Sequence, residues 1–374
     1  MLVHLAVVSF ALLFLYIGNR IASRGMAVEL FDDGSEMAEA RVVRILDIAE
    51  DASAWWNETT ITFEARITTG MYKGETVTAT QSLSSFIPVN PNEAAEGDKV
   101  LLILLSAHTD GPEEWHFADH VKIDKLIVLA AVFAALLLVF GRVKGLNALL
   151  SLGFTCVAIF IVFIPAILSG RNIYLSSILI CVYTIVVTLF ILNGVNKKSL
   201  AAVAGCFGGV VAAGLITLLM NGALGLTGWT NNESVHLVNL PTANPIDLKA
   251  IIFAGIVIGA VGAIMDVAVS ISSALSELKA QAPHLSFVAL FRSGINIGKD
   301  IMGSMTNTLV LAYIGSSLTV ILLLTVYASS LTELLNRELV IVELLQALVG
   351  SLGILLTMPL TAFICAALYS TTET

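Results

Sequence analysis

The stretch GAVGAIMDVAVSISSALSEL, Gly259–Leu278, has the length and apolar character of a membrane span, yet Asp266 stands inside it and Ser270, Ser273 and Glu277 follow. An aspartate at the centre of a bilayer helix costs about 2.5–3.5 kcal/mol on insertion scales. A chain that keeps one there either hides it against protein or uses it. The four polar residues are spaced i, i+4, i+7 and i+11. On a 3.6-residue helix they fall in a stripe of roughly 60°.

The pattern returns 34 residues later, in GKDIMGSMTNTLVLAYIGSS from Gly298, where Asp300, Ser304 and Asn307 repeat the spacing i, i+4, i+7. The shared form is D-x-x-x-S-x-[ST]-[SN]-x-L. Asp266 and Asp300 are the two aspartates within the apolar runs of the last third of the chain. A lone carboxylate in hydrocarbon stays protonated or finds a partner. Two ladders facing each other would line one cavity with carboxylate, hydroxyl and amide oxygens, a set suited to a hard cation or to a proton carried on an aspartate.

Composition agrees with a membrane setting. Of 374 residues, 57% are hydrophobic and 13% charged, where a soluble domain is about a quarter charged; the mean hydropathy is +0.91. The chain reads as a polytopic α-helical membrane protein. Its net charge of −9 comes mainly from one polar segment, so no nucleic-acid partner is expected. Cys156, Cys181, Cys206 and Cys365 lie in apolar runs, which implies neither a disulfide framework nor a zinc site.

Residues 2–18, LVHLAVVSFALLFLYIG, lack a basic n-region and an A-x-A-type cleavage site, and read as an uncleaved anchor within 1–24. Residues 25–122 form an extracytoplasmic β-rich domain. ARVVRILDIAE, TTITFEARITTG, GETVTATQSL and KVLLILLSA alternate like strands, separated by GMYKGE and PVNPNEAAEGD. About five short strands in this length suit a small barrel of the OB type. The membrane domain, 123–374, carries spans near 123–141, 146–168, 174–194, 199–220, 248–272, 300–328 and 343–368. With the anchor this makes about eight, or nine if GSS at 315–317 divides the penultimate run.

Arg142 and Lys144, then Lys197 and Lys198, then Lys279, Arg292 and Lys299 lie in alternate connections. The positive-inside rule puts them in the cytoplasm and the β domain outside. The chain is therefore placed in a bacterial plasma membrane, with Arg171 an exception on the outer side.

Plainer readings compete at each site. Serines in membrane helices bond to their own backbone or a neighbour. Asp300 would cap the N-terminus of a span beginning near 300. The 280–298 connection reads as a segment at the cytoplasmic interface or a re-entrant one, with Arg292 and the following Lys299 pairing with Glu277 or Asp300. The glycines of AGIVIGAVGA and AGCFGGVVAAG serve close helix packing. His116, Asp119 and His120 of EWHFADH offer metal ligands, though a polar juxtamembrane stretch explains them more simply. Trp55 and Trp56 suit a headgroup-level or barrel-core position. There is no phosphate-binding glycine loop, HExxH or GxSxG. Neither aspartate sits in a Tyr-Asp or Gly-x-Gly-Asp context, so enzyme chemistry and cofactors are not expected.

The segments GAVGAIMDVAVSISSALSEL, SGINIGKDIMGSMTNTLVLAYIGSSL and ALVGSLGILLTMPLTAF resemble the signature segments of the YibE/F-like family of bacterial multi-pass membrane proteins, and the YKGE turn and GDKV strand extend the resemblance toward the N-terminus. The resemblance implies that Asp266, Ser270, Glu277, Gly298, Asp300, Gly303, Asn307 and Gly315-Ser316-Ser317 belong to the family's core pattern. It names no catalytic residue and no solute. The expectation is a transporter or permease with Asp266, Ser270, Ser273, Glu277, Asp300, Ser304 and Asn307 binding a monovalent cation or proton; which metal, if any, they take is open. The alternative is a non-transporting scaffold whose β domain binds an envelope protein or lipid. Membrane lipids are partners in either case.

Overall fold

Period-two alternation builds one part of the molecule and long apolar helices build the other. The computed structural model describes residues 2–26, 37–52, 57–84, 92–106, 113–230, 232–242 and 244–370. The chain divides into two compact units, Glu29–Leu136 and Met1–Val28 with Leu137–Thr374.

The first unit holds a closed barrel of β1 (Met37–Ala52), β2 (Asn57–Ile67), β3 (Thr76–Ser84), β4 (Lys99–Ser106) and β5 (Glu113–His120), ordered β1-β2-β3-β5-β4. Neighbours are antiparallel except β3 and β5, which run parallel. This is the five-stranded Greek-key barrel expected, of the OB type. Its fifth strand is EEWHFADH, whose polar residues masked the alternation; Trp115 is buried and Phe117 packs against the same core. On β2, Ile61, Phe63, Ala65 and Ile67 point inward at alternate positions. Gly74 (φ 97) and Gly97 (φ 91) hold the left-handed turns of YKGE and GDKV. Buried Gln81 is satisfied at both ends: its amide donates to the Asn92 carbonyl at 3.0 Å and its oxygen accepts from Ala94 N at 2.8 Å. On the outer face Arg44 donates two hydrogen bonds to Glu64, at 2.9 and 2.8 Å. Trp55 and Trp56 lie outside the described residues.

The second unit is helical. Its elements are α1 (Leu2–Ala22), α2 (Ile123–Ala158, begun in the barrel unit), a π-helical turn (Ile159–Phe163), α3 (Ile164–Leu168), α4 (Ile173–Asn193), α5 (Lys197–Ala223), α6 (Asn232–Val238), α7 (Leu248–Gln281), α8 (Phe287–Ser316), α9 (Leu318–Tyr327), α10 (Leu331–Asn336) and α11 (Glu338–Ser370). Among the described residues, six helices are long and apolar enough to cross a membrane, or seven if α8 and α9, bent by 63°, form one broken span. The difference from eight arises at Ile123–Leu168, read as two spans but running as one 46-residue helical segment. That segment breaks at Arg142 (φ 49, ψ −124). A Cβ added to Gly145 would collide with the carbonyl oxygen of Leu137. Eight residues along a straight helix rise about 12 Å, so the chain folds back here, where the two spans were divided.

α5, α7 and α11 form the centre, flanked by α4 and α8. Gly205 and Gly209 on α5 lie directly against Thr361 and Thr357 on α11, and Gly214 lies 3.4 Å from Phe253 of α7 measured from an added Cβ. Close packing therefore accounts for these glycines. Gly255 and Gly262 on α7 meet nothing within 4 Å. At one end, Glu338 accepts hydrogen bonds from Thr227 N at 2.8 Å, Thr227 Oγ1 at 2.7 Å and Gly228 N, tying the loop after α5 to the start of α11.

Candidate functional site

α7 begins at a true cap: Asp247 accepts from the amides of Lys249 and Ala250. Thirty-four unbroken helical residues follow. Asp266 lies about 27 Å along the axis from Leu248 and about 22 Å from Gln281, near mid-helix. Ile264, Val267, Ala268, Ile271 and Leu275 are buried, and the stripe of Asp266, Ser270, Ser273 and Glu277 lies on the other side of the helix.

α8 starts well before the expected position. Ser286 caps it, accepting from Ala289 N, and no proline interrupts the run to Ser316. Residues 287–298 are thus part of a continuous helix that runs to Ser316. Asp300 stands about 20 Å inside α8, so it caps nothing. The helix ends where the GSS triplet suggested, at Ser317.

Glycines bring α8 against its neighbours. A Cβ on Gly294 would lie 2.7 Å from Ala362 Cβ and 2.9 Å from Leu275 Cδ1; one on Gly298 would meet Met358 and lie 3.3 Å from Ile271 Cδ1. Phe287 and Phe291 stack edge-on against Phe363. These contacts set the levels of the antiparallel pair: Ile271 with Gly298, and Leu275 with Gly294. Counting from them, Asp266 is level with Gly303, and Asp300 with Val269. The two aspartates are about 4.5 Å apart along the axis.

The ladders are near each other in depth but do not enclose a chamber. Asp266, Glu277, Asp300, Ser304 and Asn307 are exposed and Ser270 and Ser273 half-buried. Both ladders open outward from the helical unit. Ser304 Oγ donates to the Ile301 carbonyl at 2.9 Å, the backbone bonding of the plainer reading. Among the described residues, Asp266, Asp300, Arg292 and Lys299 form no ion pair or hydrogen bond, and Glu277 accepts only from Gln281, at 3.2 Å. The pairing of Arg292 and Lys299 with Glu277 or Asp300 within the chain is therefore not made.

The polar face of α8 is longer than the ladder read from sequence. Arg292, Asn296 and Lys299, all exposed, extend it by two turns toward the helix start. Projecting 287–316 on a helical wheel finds them once the cap is set at Ser286 instead of near 300. Toward the far end of α7, Tyr313 Oη and Gln346 Nε2 come within 2.8 and 3.3 Å of where a Cβ on Gly259 would stand. A separate cavity of about 270 Å³ lies between α2, α4 and α7, beside Gly262 and Met265.

The histidines of the barrel are engaged elsewhere. His116 Nδ1 and Thr80 Oγ1 are 3.1 Å apart, and His120 Nε2 lies 3.0 Å from the Asn92 carbonyl oxygen. Asp119 is bonded to Lys122 at 2.8 Å. No metal-binding cluster of three or more His, Cys, Asp or Glu occurs among the described residues.

A family model described as YibE/F-like protein matches residues 129–371. It takes in both ladders and leaves α1 and the barrel outside. No curated protein and no solved structure matches the chain. The matched span covers more than half of the sequence and every helix from the Arg142 break to Ser370, and the chain belongs to the YibE/F-like family.

Proposed function

We propose that this protein is a membrane transporter in which a cation or proton bound at the α7–α8 ladders accompanies, or is, the solute. The observation that carries the reading is Asp266: a carboxylate near the middle of an apolar 34-residue helix, exposed on its open side with no protein partner among the described residues. Hydrocarbon supplies neither hydrogen bonds nor counter-charge, so such a group requires water, an ion or further protein. Asp266 and Asp300 would hold the cation or proton, and Ser270, Ser273, Ser304 and Asn307 would supply neutral oxygens. The basic residues at the Arg142 break, between α4 and α5, and along the α7–α8 turn support a cytoplasmic position for those connections and an extracytoplasmic barrel.

The test is flux into vesicles reconstituted with wild type, Asp266→Asn and Asp300→Asn, each eluting as the folded protein. Na⁺, K⁺ and proton movement are followed in parallel. Loss of flux in both variants is expected. Full flux in either dismisses that aspartate as a ligand.

The scaffold reading draws support from the barrel. Val43 and Leu46, which sit at the register shifts of β1 between Val42 and Arg44 and between Ile45 and Asp47, and Ile48 are exposed and offer an apolar strip to an envelope protein or lipid. Under that reading, deletion of the barrel abolishes function while the aspartate variants change stability alone.

A further inference from the structure

We infer that the exposed polar face of α7 and α8 is the contact surface for a second copy of this chain, and that the ladder site is completed at the seam between the two copies. The face cannot be left to lipid. Along α8 it carries Arg292, Asn296, Asp300 and Asn307, and α7 beside it carries Asp266 and Glu277, all exposed. Polar helix faces at membrane depth are tolerated against protein or water.

The choice of a second copy follows from symmetry. Copies of a membrane protein related by a two-fold axis along the bilayer normal keep every residue at its depth. Two adjacent helices on one flat face then pair crosswise, α7 on the partner's α8 and α8 on the partner's α7. The contacts of Ile271 with Gly298 and Leu275 with Gly294 give the levels. Glu277 is level with Arg292, and neither forms an ion pair within the chain among the described residues. Across the seam each acid would meet the base of the other copy.

Shape agrees along the same register. Gly262, which borders the cavity between α2, α4 and α7 and meets nothing within 4 Å, is level with Asn307 of the other copy. Asp266 is level with Gly303, also open. Nearer the far end, open Gly255 is level with Ile314, which is 46% exposed. In these three pairs a projecting side chain faces a glycine. Polar residues gather in the cytoplasmic half of the seam and apolar ones in the other half. Two copies of Asp266 and Asp300 would then line a shared, wetted gap, which the single chain leaves open on one side.

This inference deepens the transport reading, but its test involves no flux, so the two fail separately. Two differently tagged chains are co-expressed, both with Cys156→Ser and with the three buried cysteines kept. One carries Ser273→Cys and the other Asn296→Cys, positions level with each other. Oxidation in native membranes is expected to join the two tags. Leu200→Cys, exposed on α5, is expected to join neither. In a second measurement, Glu277→Arg chains and Arg292→Glu chains are mixed. Both cross-seam pairs are complementary in the mixed dimer and each homodimer sets like charges together, so mixed dimers should exceed either homodimer roughly tenfold. Single-copy mass in lipid nanodiscs overturns the inference. So does cross-linking at 273/296 no greater than at Leu200→Cys, or equal mixed and like pairing of the charge variants.

Discussion

Replacing Gly209 by alanine tests the close approach of α5 to α11. Gly209 on α5 faces Thr357 on α11, and the Thr357 hydroxyl donates to the Gly353 carbonyl at 2.7 Å. A Cβ at 209 would overlap that hydroxyl oxygen and lie 3.1 Å from Thr357 Cβ and 3.2 Å from Ile264 Cγ2. Rotating the hydroxyl away gives up its bond to Gly353, about 0.5–1.5 kcal/mol. Rotation leaves the Cβ contact in place, so α5 and α11 must also separate, and overpacking of this kind costs about 1–3 kcal/mol. Alanine returns about 1 kcal/mol through helix propensity. The net expectation is a destabilisation of about 1–3 kcal/mol, the difference of these terms. Gly153→Ala is the control: Gly153 lies inside α2 and an added Cβ meets nothing within 4 Å, so it should be neutral or stabilising by up to about 1 kcal/mol. Reversible unfolding in mixed micelles with rising SDS reads both. If Gly209→Ala unfolds at the wild-type midpoint or later, α5 and α11 do not approach as closely as described, and the explanation of the α5 glycines fails with it.

Thermal unfolding in detergent with Na⁺, K⁺ or Ca²⁺ should rise selectively with the ion that the ladders hold, and Asp266→Asn should abolish the rise; a wild type indifferent to all three ions and to pH favours structural glue. Glu338→Ala removes the acceptor of three donors from Thr227 and Gly228, with an expected loss of about 1.5–3 kcal/mol and faster hydrogen exchange in residues 224–230; unchanged exchange there refutes the tie. In the barrel, the Arg44 hydrogen bonds hold the Glu64 carboxyl below its ordinary value of 4.5. A depressed carboxylate contributes stability above its unfolded pKa and loses that contribution as pH falls through the folded value. Exchange protection of β1 and β2 in the intact chain should therefore decline below about pH 4.5, and Arg44→Ala should remove that component of the decline.

The sequence was informative where local pattern and final environment coincide. The four alternating segments became β1 to β4 because one face of each strand is buried in the barrel. The fifth strand is counted in the expected barrel but harder to assign to a segment, because Glu114, His116, Asp119 and His120 dominate EEWHFADH, while the inward Trp115 and Phe117 declare themselves only beside β3 and β4. The ladder spacing on α7 was legible because a helix turns spacing into a shared face. The start of α8 was not, since the polar residues of 287–299 resemble a connection when a span is sought by hydropathy alone. Ser286 capping the helix, with Phe287 and Phe291 against Phe363, makes that segment the polar-faced beginning of a longer helix.

By itself the sequence determined the membrane class, the separate strand-rich segment, and the membership of Asp266, Ser270, Ser273 and Glu277 in one stripe and of Asp300, Ser304 and Asn307 in another. These follow from composition and from the fixed periods of strand and helix. Tertiary structure alone decided which way those stripes face. Gly294 and Gly298 bring the opposite side of α8 against α11 and α7, and Ile264, Ile271 and Leu275 turn the opposite side of α7 into the core, so both ladders are left on the outer surface. Direction around a helix axis is set by what packs behind it, and those packing partners lie tens of residues away in the chain.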